Sequence, residues 1–250
     1  MRSPESRQIM KIAEKSASQL LAIVLFLESL AITLAISGAM AAGHSPKAYF
    51  EEGGYMTILS CLQLLGGAFL AKKIFSSAKN SGDRILNRSS FFWRTSYLSL
   101  LFLTFDDAFE IHENIDKLIH FILKILFSFE ETNISDLADD IIVGGYLLIF
   151  LIYVAKEWQA IQIFRDSFIY FKIGCLLTMG MVFFDTVSNN TLFLSMFTEN
   201  SQIIKFWQIW IGTLEDSLKI YAGGFFLVAI YKCWHIAKSK VKQEKSELSY

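Results

Sequence analysis

The sequence predicts an all-α, polytopic membrane protein, a single transmembrane domain of six helices with both termini in the cytoplasm. Hydrophobic residues make up 53% of the 250 residues and charged residues only 19%, which is too apolar for a soluble domain of this size. The apolar residues form six runs, each approaching the roughly 20 residues that a helix needs to cross a bilayer. Basic residues concentrate in every second connection between these runs. Composition, run length and charge therefore point to the same fold class.

The six predicted spans fall at about residues 17–41, 55–75, 91–110, 137–155, 168–187 and 213–233. The first run follows a basic stretch, but its roughly 25 residues exceed the 7–15 apolar residues of a signal peptide, so we predict an uncleaved span. Two further segments look interfacial. Residues 118–131 predict an amphipathic helix on the outer surface, and residues 203–211 predict an interfacial helix with an aromatic anchor.

The orientation follows from the distribution of lysine and arginine. Four segments hold most of the 23 basic residues: the N-terminus, residues 72–94, residues 156–172 and the C-terminal tail. The alternate connections hold only Lys47, Lys117, Lys124 and Lys205. Because cytoplasmic loops carry an excess of basic residues, the sequence predicts that both termini lie inside.

Paired glycines occur at Gly66-Gly67, Gly144-Gly145 and Gly223-Gly224, each in a span predicted to run from outside to inside. Two interpretations stay open. The pairs are typical of close helix contacts in membrane bundles, and their similar separation would also fit three repeated helical hairpins.

Acidic residues collect on the predicted outer side. The apolar parts of the third and fourth spans are about 15 residues long, so to reach roughly 20 residues these spans must include carboxylates. Charge at that depth persists where it is paired, hydrated or bound to a cation. We therefore predict a water-filled vestibule that opens outward. Helix capping and local thinning of the bilayer are the alternatives. The candidate ion or proton path comprises Asp106, Asp107, Glu110, Glu113, Asp185, Glu215, Asp216, Glu28 and Lys219.

The end of the third span also suggests a metal site. Asp106, Glu110, Glu113, Lys117 and His120 follow the 4-3-4-3 spacing of one helix face, and His112 lies on an adjoining face. Carboxylates and imidazoles together suit zinc, iron, manganese or copper. The candidate ligands are His112, Asp107, Glu110 and His120, and both histidines could instead be interfacial polar residues.

Two ionisable residues lie deeper in the predicted bundle. Glu28 falls near the middle of the first span, and Lys219 lies about one turn inside the sixth. Because an unpaired charge is costly inside a membrane, we predict that Lys219 pairs with Glu28 or with Asp216. Such a pair would be a structural bridge or part of a proton path.

Two stretches carry a resemblance to known proteins, Phe105-Asp106-Asp107-Ala108-Phe109-Glu110-Ile111-His112-Glu113 and the run from Leu214 to Gly223. They resemble uncharacterised bacterial multi-pass membrane proteins, which have an acidic pair and His-Glu after a middle span and a second acidic pair that opens a late one. The resemblance covers two stretches of about ten residues each. It implies the bacterial inner membrane and supplies no activity.

The same segments are also similar to the C subunit of particulate methane and ammonia monooxygenase. That subunit has an Asp-Ala…His segment, and its Asp and two His bind metal. Here Asp107-Ala108 precedes His112 by one residue more than that pattern needs, and no second histidine follows at the expected place. The likeness implies metal binding by analogy and does not extend to the oxygenase activity.

These observations leave three functions open. The first is cation- or proton-coupled transport through the acidic outer site. The others are an intramembrane metal-dependent enzyme at the outer leaflet, with a divalent transition metal as its cofactor, and a membrane scaffold or assembly subunit. The expected partners are the lipid bilayer and a second copy or another membrane subunit. No nucleic-acid partner is expected, since no phosphate loop or nucleotide motif is present. The isolated Cys61, Cys175 and Cys233 predict no disulfide and no thiolate metal site.

Overall fold

A computed structural model describes residues 4–50, 54–109, 111, 145, 148–189, 191–198 and 200–247. Within these ranges the chain is helical, with turns between the helices and no strand. The all-α prediction is thereby confirmed. The predicted fourth span, the outer helix at 118–131, and Glu110, His112, Glu113 and His120 lie wholly or largely outside the described residues.

Eight α-helices are labelled here in chain order, and residues 148–156 are also helical. The helices are α1 (Pro4–Ala41), α2 (Tyr55–Lys79), α3 (Arg84–Arg88), α4 (Ser90–Phe109), α5 (Trp158–Ile161), α6 (Phe168–Asn189), α7 (Thr191–Ser195) and α8 (Ser201–Glu247). Two short 3₁₀ helices, Pro46–Tyr49 and Gln162–Ser167, precede α2 and α6.

Within the described ranges, four helical segments are long and apolar enough to cross a membrane, which indicates a membrane protein. They are Ile12–Ala41, Tyr55–Lys79, Trp158–Ser188 and Ser201–Glu244. The predicted third span exists as α4, but this helix has only 20 residues, including Arg94, Asp106 and Asp107, and is not among the four. Large apolar side chains such as Phe26, Leu62 and Leu176 are exposed on the long helices, as expected of surfaces that face lipid.

Residues 203–211, predicted to form an interfacial helix with an aromatic anchor, are helical. These residues form the beginning of α8, which continues without a break through the predicted sixth span. Two contacts hold this part against the bundle. The amide of Gln208 donates to the backbone carbonyl of Ser188 at 3.1 Å, and Lys47 packs beside Gly212. No proline interrupts α8, so its backbone hydrogen bonds run through Gly212 into the membrane segment.

Helix α8 is the central element of the bundle. It contacts α1, α2 and α6. In its most apolar stretch 50% of the residues are buried, against 17% in the corresponding stretch of α1. Side-chain contacts give the directions of its neighbours. Gly66 and Gly67 face Leu227 and Ile230, so α2 runs parallel to α8. Side-chain hydrogen bonds join Ser16 to Tyr231 and Ser29 to Tyr221, so α1 runs antiparallel to α8.

The other two long helices also run opposite to α8. In α6, Gly174 lies against Phe226 and Gly180 lies against Leu218. Helix α4 is antiparallel to α2, because Leu100 contacts Gly67 whereas Asp107 contacts Cys61. One end of the bundle therefore collects the start of α1, α4 and α6 and the finish of α2 and α8. We call it the basic end, for its lysines and arginines, and the opposite end the acidic end.

The largest cluster of buried apolar residues lies at the basic end. Trp93 packs edge-on against Phe164, with ring centroids 5.2 Å apart, and against Phe92 at 5.3 Å. Buried residues of α2, α8 and the short α3 complete this cluster, among them Ile74, Cys233 and Leu86. A smaller cluster at the acidic end joins α1, α2 and α8 through Ile32, Met56 and Ile220.

Gly174 allows α6 to approach α8 closely. A Cβ atom at this position would lie 2.8–3.0 Å from three ring atoms of Phe226, whose ring also packs near Phe171. We expect Gly174→Ala to destabilise the protein by about 1–3 kcal/mol because the ring must shift. Thermal unfolding in detergent measures the loss. The matched control is Gly180→Ala on the same helix, where the new methyl would meet Leu218 at an ordinary 3.4 Å. Equal effects of the two substitutions would contradict this packing.

Candidate functional site

The centre of the candidate site is a salt bridge between α4 and α8. The ammonium group of Lys219 lies 2.6 Å from Oδ1 of Asp107. The Asp107 side chain is only 8% exposed, whereas that of Lys219 is 37% exposed, so the pair is shielded on the side of the aspartate. The acidic pair after the third span, Asp106 and Asp107, is buried, which agrees with its predicted place inside the bundle rather than in a loop.

The prediction for the partner of Lys219 is corrected by this bridge. Glu28 and Lys219 do not pair: one oxygen of Glu28 accepts from Gln63, and the other has no hydrogen-bond partner. The physical reason is helical geometry. Glu28 contacts α8 at Gly224, five residues beyond Lys219, and five residues rotate about 140° around a helix of 3.6 residues per turn. Lys219 therefore lies on a different face of α8 from the one that contacts α1.

Cys61 of α2 also belongs to this site. Its Sγ atom lies 3.7 Å from Oδ2 of Asp107 and 3.8 Å from the backbone carbonyl oxygen of Thr104. Both carboxylate oxygens of Asp107 thus have a neighbour, Lys219 on one and Cys61 on the other. The sequence predicted no site role for Cys61, because one isolated cysteine carries no sequence signal for such a contact.

Other predicted site residues gather on the neighbouring turn of α8. Glu215 lies within electrostatic range of Asp185 on α6 and of Asp216 and Lys219 on α8. Lys47, from the 3₁₀ helix before α2, is a second cation in range of Glu215, and its Nζ atom lies near Gly212. The structure thus brings α4, α6 and α8 together at the acidic end, as the sequence predicted, and adds Lys47, which was read only as a topology marker.

Deeper in the bundle, a polar pair joins α1 and α2. The amide Nε2 of Gln63 donates to Oε1 of Glu28 at 2.6 Å. Glu28 is only 1% exposed and Gln63 is 7% exposed. Gln63 is a second residue that the sequence did not single out. A single glutamine in an apolar run was the available signal.

The glycine pair of α8 makes room for these two side chains. A Cβ at Gly223 would collide with Oε1 of Gln63, and a Cβ at Gly224 would collide with Oε1 of Glu28. The backbone of α8 therefore lies directly against the Glu28–Gln63 pair. Of the two interpretations of the paired glycines, the contact with a neighbouring helix describes Gly66-Gly67 and Gly223-Gly224, while Gly144 lies outside the described residues.

A second ion pair, buried only on the side of its lysine, lies at the basic end. The ammonium group of Lys232, a residue only 3% exposed, donates to the carboxylate of Glu14 and to the backbone carbonyl of Asp166, the latter at 2.6 Å. The hydroxyl of Tyr170 donates to the other oxygen of Glu14 at 3.1 Å. Sequence reasoning missed this pair because Lys232 was counted with the basic tail and Glu14 lies in a basic stretch.

Of the four predicted metal ligands, the structure describes Asp107 alone. Glu110, His112 and His120, with Glu113 of the ion path, lie outside the described ranges. Within those ranges no three histidine, cysteine or acidic side chains are grouped as metal ligands. The ammonium group of Lys219 occupies Oδ1 of Asp107. The metal site stays a prediction.

Residues 18–233 match a protein family described as a domain of unknown function, DUF8692. The chain belongs to this family. The matched segment begins in α1 and ends in α8, so the DUF8692 region includes the Asp107–Lys219 bridge and the Glu28–Gln63 pair. No match to a curated protein and no match to a solved structure was found.

The Asp107–Lys219 pair makes a testable prediction about coupling. Asp107→Asn or Lys219→Met alone leaves one charge without its partner, whereas the double variant removes both charges. We therefore expect the two single losses of unfolding free energy to sum to about 0.5–3 kcal/mol more than the loss in the double variant. Thermal or denaturant unfolding of the three variants in detergent measures this coupling.

The control is a second cycle with Glu28→Gln and Lys219→Met, which share no bond. These effects should add within about 0.3–0.5 kcal/mol. Coupling in the control cycle together with additivity in the Asp107 cycle would restore the original pairing and remove the bridge from the site.

Proposed function

We propose that this protein carries a cation or a proton across the bacterial inner membrane. The observation that carries the proposal is the arrangement of ionisable side chains along α8. Glu215 and Asp216 come first, the Asp107–Lys219 bridge lies about one turn further, and Glu28 lies against Gly224, about 7.5 Å beyond Lys219 at 1.5 Å per residue. Charges at successive depths inside a membrane mark ion and proton pathways.

The remainder of α8 closes this path. Beyond Gly224, α8 presents Val228 and Ala229 to buried apolar residues of α1 and α6, and Ile230 and Cys233 to the cluster around Trp93. The polar contacts further along α8 are the Tyr231–Ser16 hydrogen bond and the Lys232–Glu14 pair, seven and eight residues beyond Gly224, or about 10–12 Å along the helix axis. In the state described, the path enters from the acidic end and stops at Glu28. Transport would require the apolar part to open.

We infer a six-span topology with both termini in the cytoplasm. The basic end holds the connection from α2 to α4, including Lys79, Arg84 and Arg88, and also holds Arg165. Basic residues favour the cytoplasmic side, so the acidic end faces outward. Helix α4 and the region around 137–155 would supply the two spans beyond the four long apolar segments.

The topology is tested by single cysteines placed at the two ends of α2 in a variant that lacks the native cysteines. His44 and Lys79 are both exposed and flank this helix. A membrane-impermeant maleimide added to intact cells or to right-side-out vesicles should label a cysteine at position 44 and leave one at position 79 unlabelled. After permeabilisation both should react. Labelling at position 79 alone would reverse the orientation.

Transport is tested with purified protein in liposomes that contain a pH-sensitive dye or a cation-sensitive dye. We expect a flux above that of empty vesicles for wild type, and loss of that flux to the empty-vesicle background for Glu28→Gln, because the amide cannot exchange a proton. Glu157→Gln is the control, since Glu157 begins α5 at the basic end, away from the path. Absence of flux for wild type under proton, Na⁺ and K⁺ gradients would overturn the proposal.

A further inference from the structure

Glu28 lacks the cation that its neighbours in the site have. It is 1% exposed, its Oε1 atom accepts the Gln63 amide, and its Oε2 atom is buried without a hydrogen-bond partner. Asp107, another buried acid, has a lysine on one carboxylate oxygen, and so does the half-exposed Glu14. A buried carboxylate without such a partner is costly by several kcal/mol, and the cost is removed if the group takes up a proton.

The groups that face Glu28 leave its charge uncompensated. From α2 comes the neutral Gln63, whereas Cys61, two residues nearer the acidic end, contacts Asp107 of α4. From α8 come the glycine pair and Tyr221, whose hydroxyl bonds Ser29 at 2.9 Å. Lys219 is engaged with Asp107, and Lys47 lies beside Gly212, near Glu215.

The surroundings suit a proton better than a metal ion. Hard cations such as Ca²⁺ take six to eight oxygen ligands. Here the oxygens next to α8 are those of Glu28 and Oε1 of Gln63, and the opposing surface is the bare backbone of two glycines and the methyl group of Val24. A proton needs only the one oxygen that has no partner.

We propose that Glu28 is a reversible proton-binding site in which Gln63 orients the carboxyl group and Oε2 takes up and releases the proton. Gln63 holds Oε1 as an acceptor, so the other oxygen is the one available for protonation. The close approach of Gly223 and Gly224 excludes larger ions from the pair. This inference rests on the proposed transport function for its biological role and names the proton as the species that reaches Glu28.

The test reads protonation without requiring transport. Dicyclohexylcarbodiimide, an apolar reagent, adds to a protonated carboxyl group: the acid O–H adds across one C=N bond, and the acyl group then migrates to nitrogen to give a stable N-acylurea, with no leaving group. We treat purified wild-type protein in detergent with this reagent over a range of pH and locate the adduct by peptide mass spectrometry. The expected result is an adduct on Glu28 that forms in acid and declines as the pH rises.

Two comparisons sharpen the result. The peptide that contains Asp107 should stay unmodified where Glu28 is labelled, because the ammonium group of Lys219 already occupies Oδ1 of Asp107. Glu28→Gln should lose the adduct on its own peptide, and an unchanged unfolding temperature would show that the variant is folded. If that variant does not fold, the pH profile and the mapped position in wild type still decide.

Three outcomes overturn the inference: no adduct on Glu28 at any pH, labelling that does not vary with pH, or labelling at fixed pH that Na⁺ suppresses, which would assign the site to a metal cation. The proposed function fails separately. A pH-dependent adduct in a protein that shows no flux in liposomes would leave the proton site standing and remove transport, whereas proton flux without an adduct would do the reverse.

Discussion

The contact between the backbone of α8 and the Glu28–Gln63 pair is the constraint on which the rest of the bundle depends. Gly223 and Gly224 have no side chains, so α1 and α2 can bring polar groups directly to the helix axis. A Cβ atom at Gly223 would displace the end of the Gln63 side chain, and one at Gly224 would displace Glu28 and Val24. Close approach then sets the distance at which Ile32, Met56 and Ile220 pack on one side and Ala17 and Val228 on the other. In a membrane, such packing is a main source of helix association.

The acidic residues inside the bundle are accommodated in different ways. Asp107 and the half-exposed Glu14 are each paired with a lysine of α8, towards opposite ends of the helix, so each pair links α8 to another helix. Glu28 lies between them and receives only the neutral amide of Gln63. The difference separates acids that have an ammonium partner from a buried acid whose second oxygen has no partner. This contrast, rather than the number of acidic residues, supports a path for protons.

Membership in DUF8692 sets the extent of the family region and leaves the activity to be inferred from the site. The metal-enzyme hypothesis depended on His112, Glu110 and His120, which lie outside the described residues, and on Asp107, which is held by Lys219. The likeness to the monooxygenase C subunit depended on the same segment and stays a prediction. The transport hypothesis depends on Glu28, Asp107, Glu215 and Lys219, all of which the structure describes: Glu215 and Lys219 belong to α8, and Asp107 and Glu28 contact that helix.

By itself, the sequence determined where the long apolar helices lie and which ends carry the basic and acidic residues, because helix length and residue composition are local properties. It also gave the depths of Glu28 and Lys219 to within about two turns, since the rise per residue is constant. Only the tertiary structure decided which side chains meet. Lys219 pairs with Asp107, Glu28 pairs with Gln63, and Lys232 pairs with Glu14, because partner choice depends on which helices are neighbours and on the rotation of each helix about its axis. Neither quantity is recorded in the spacing of residues along one segment.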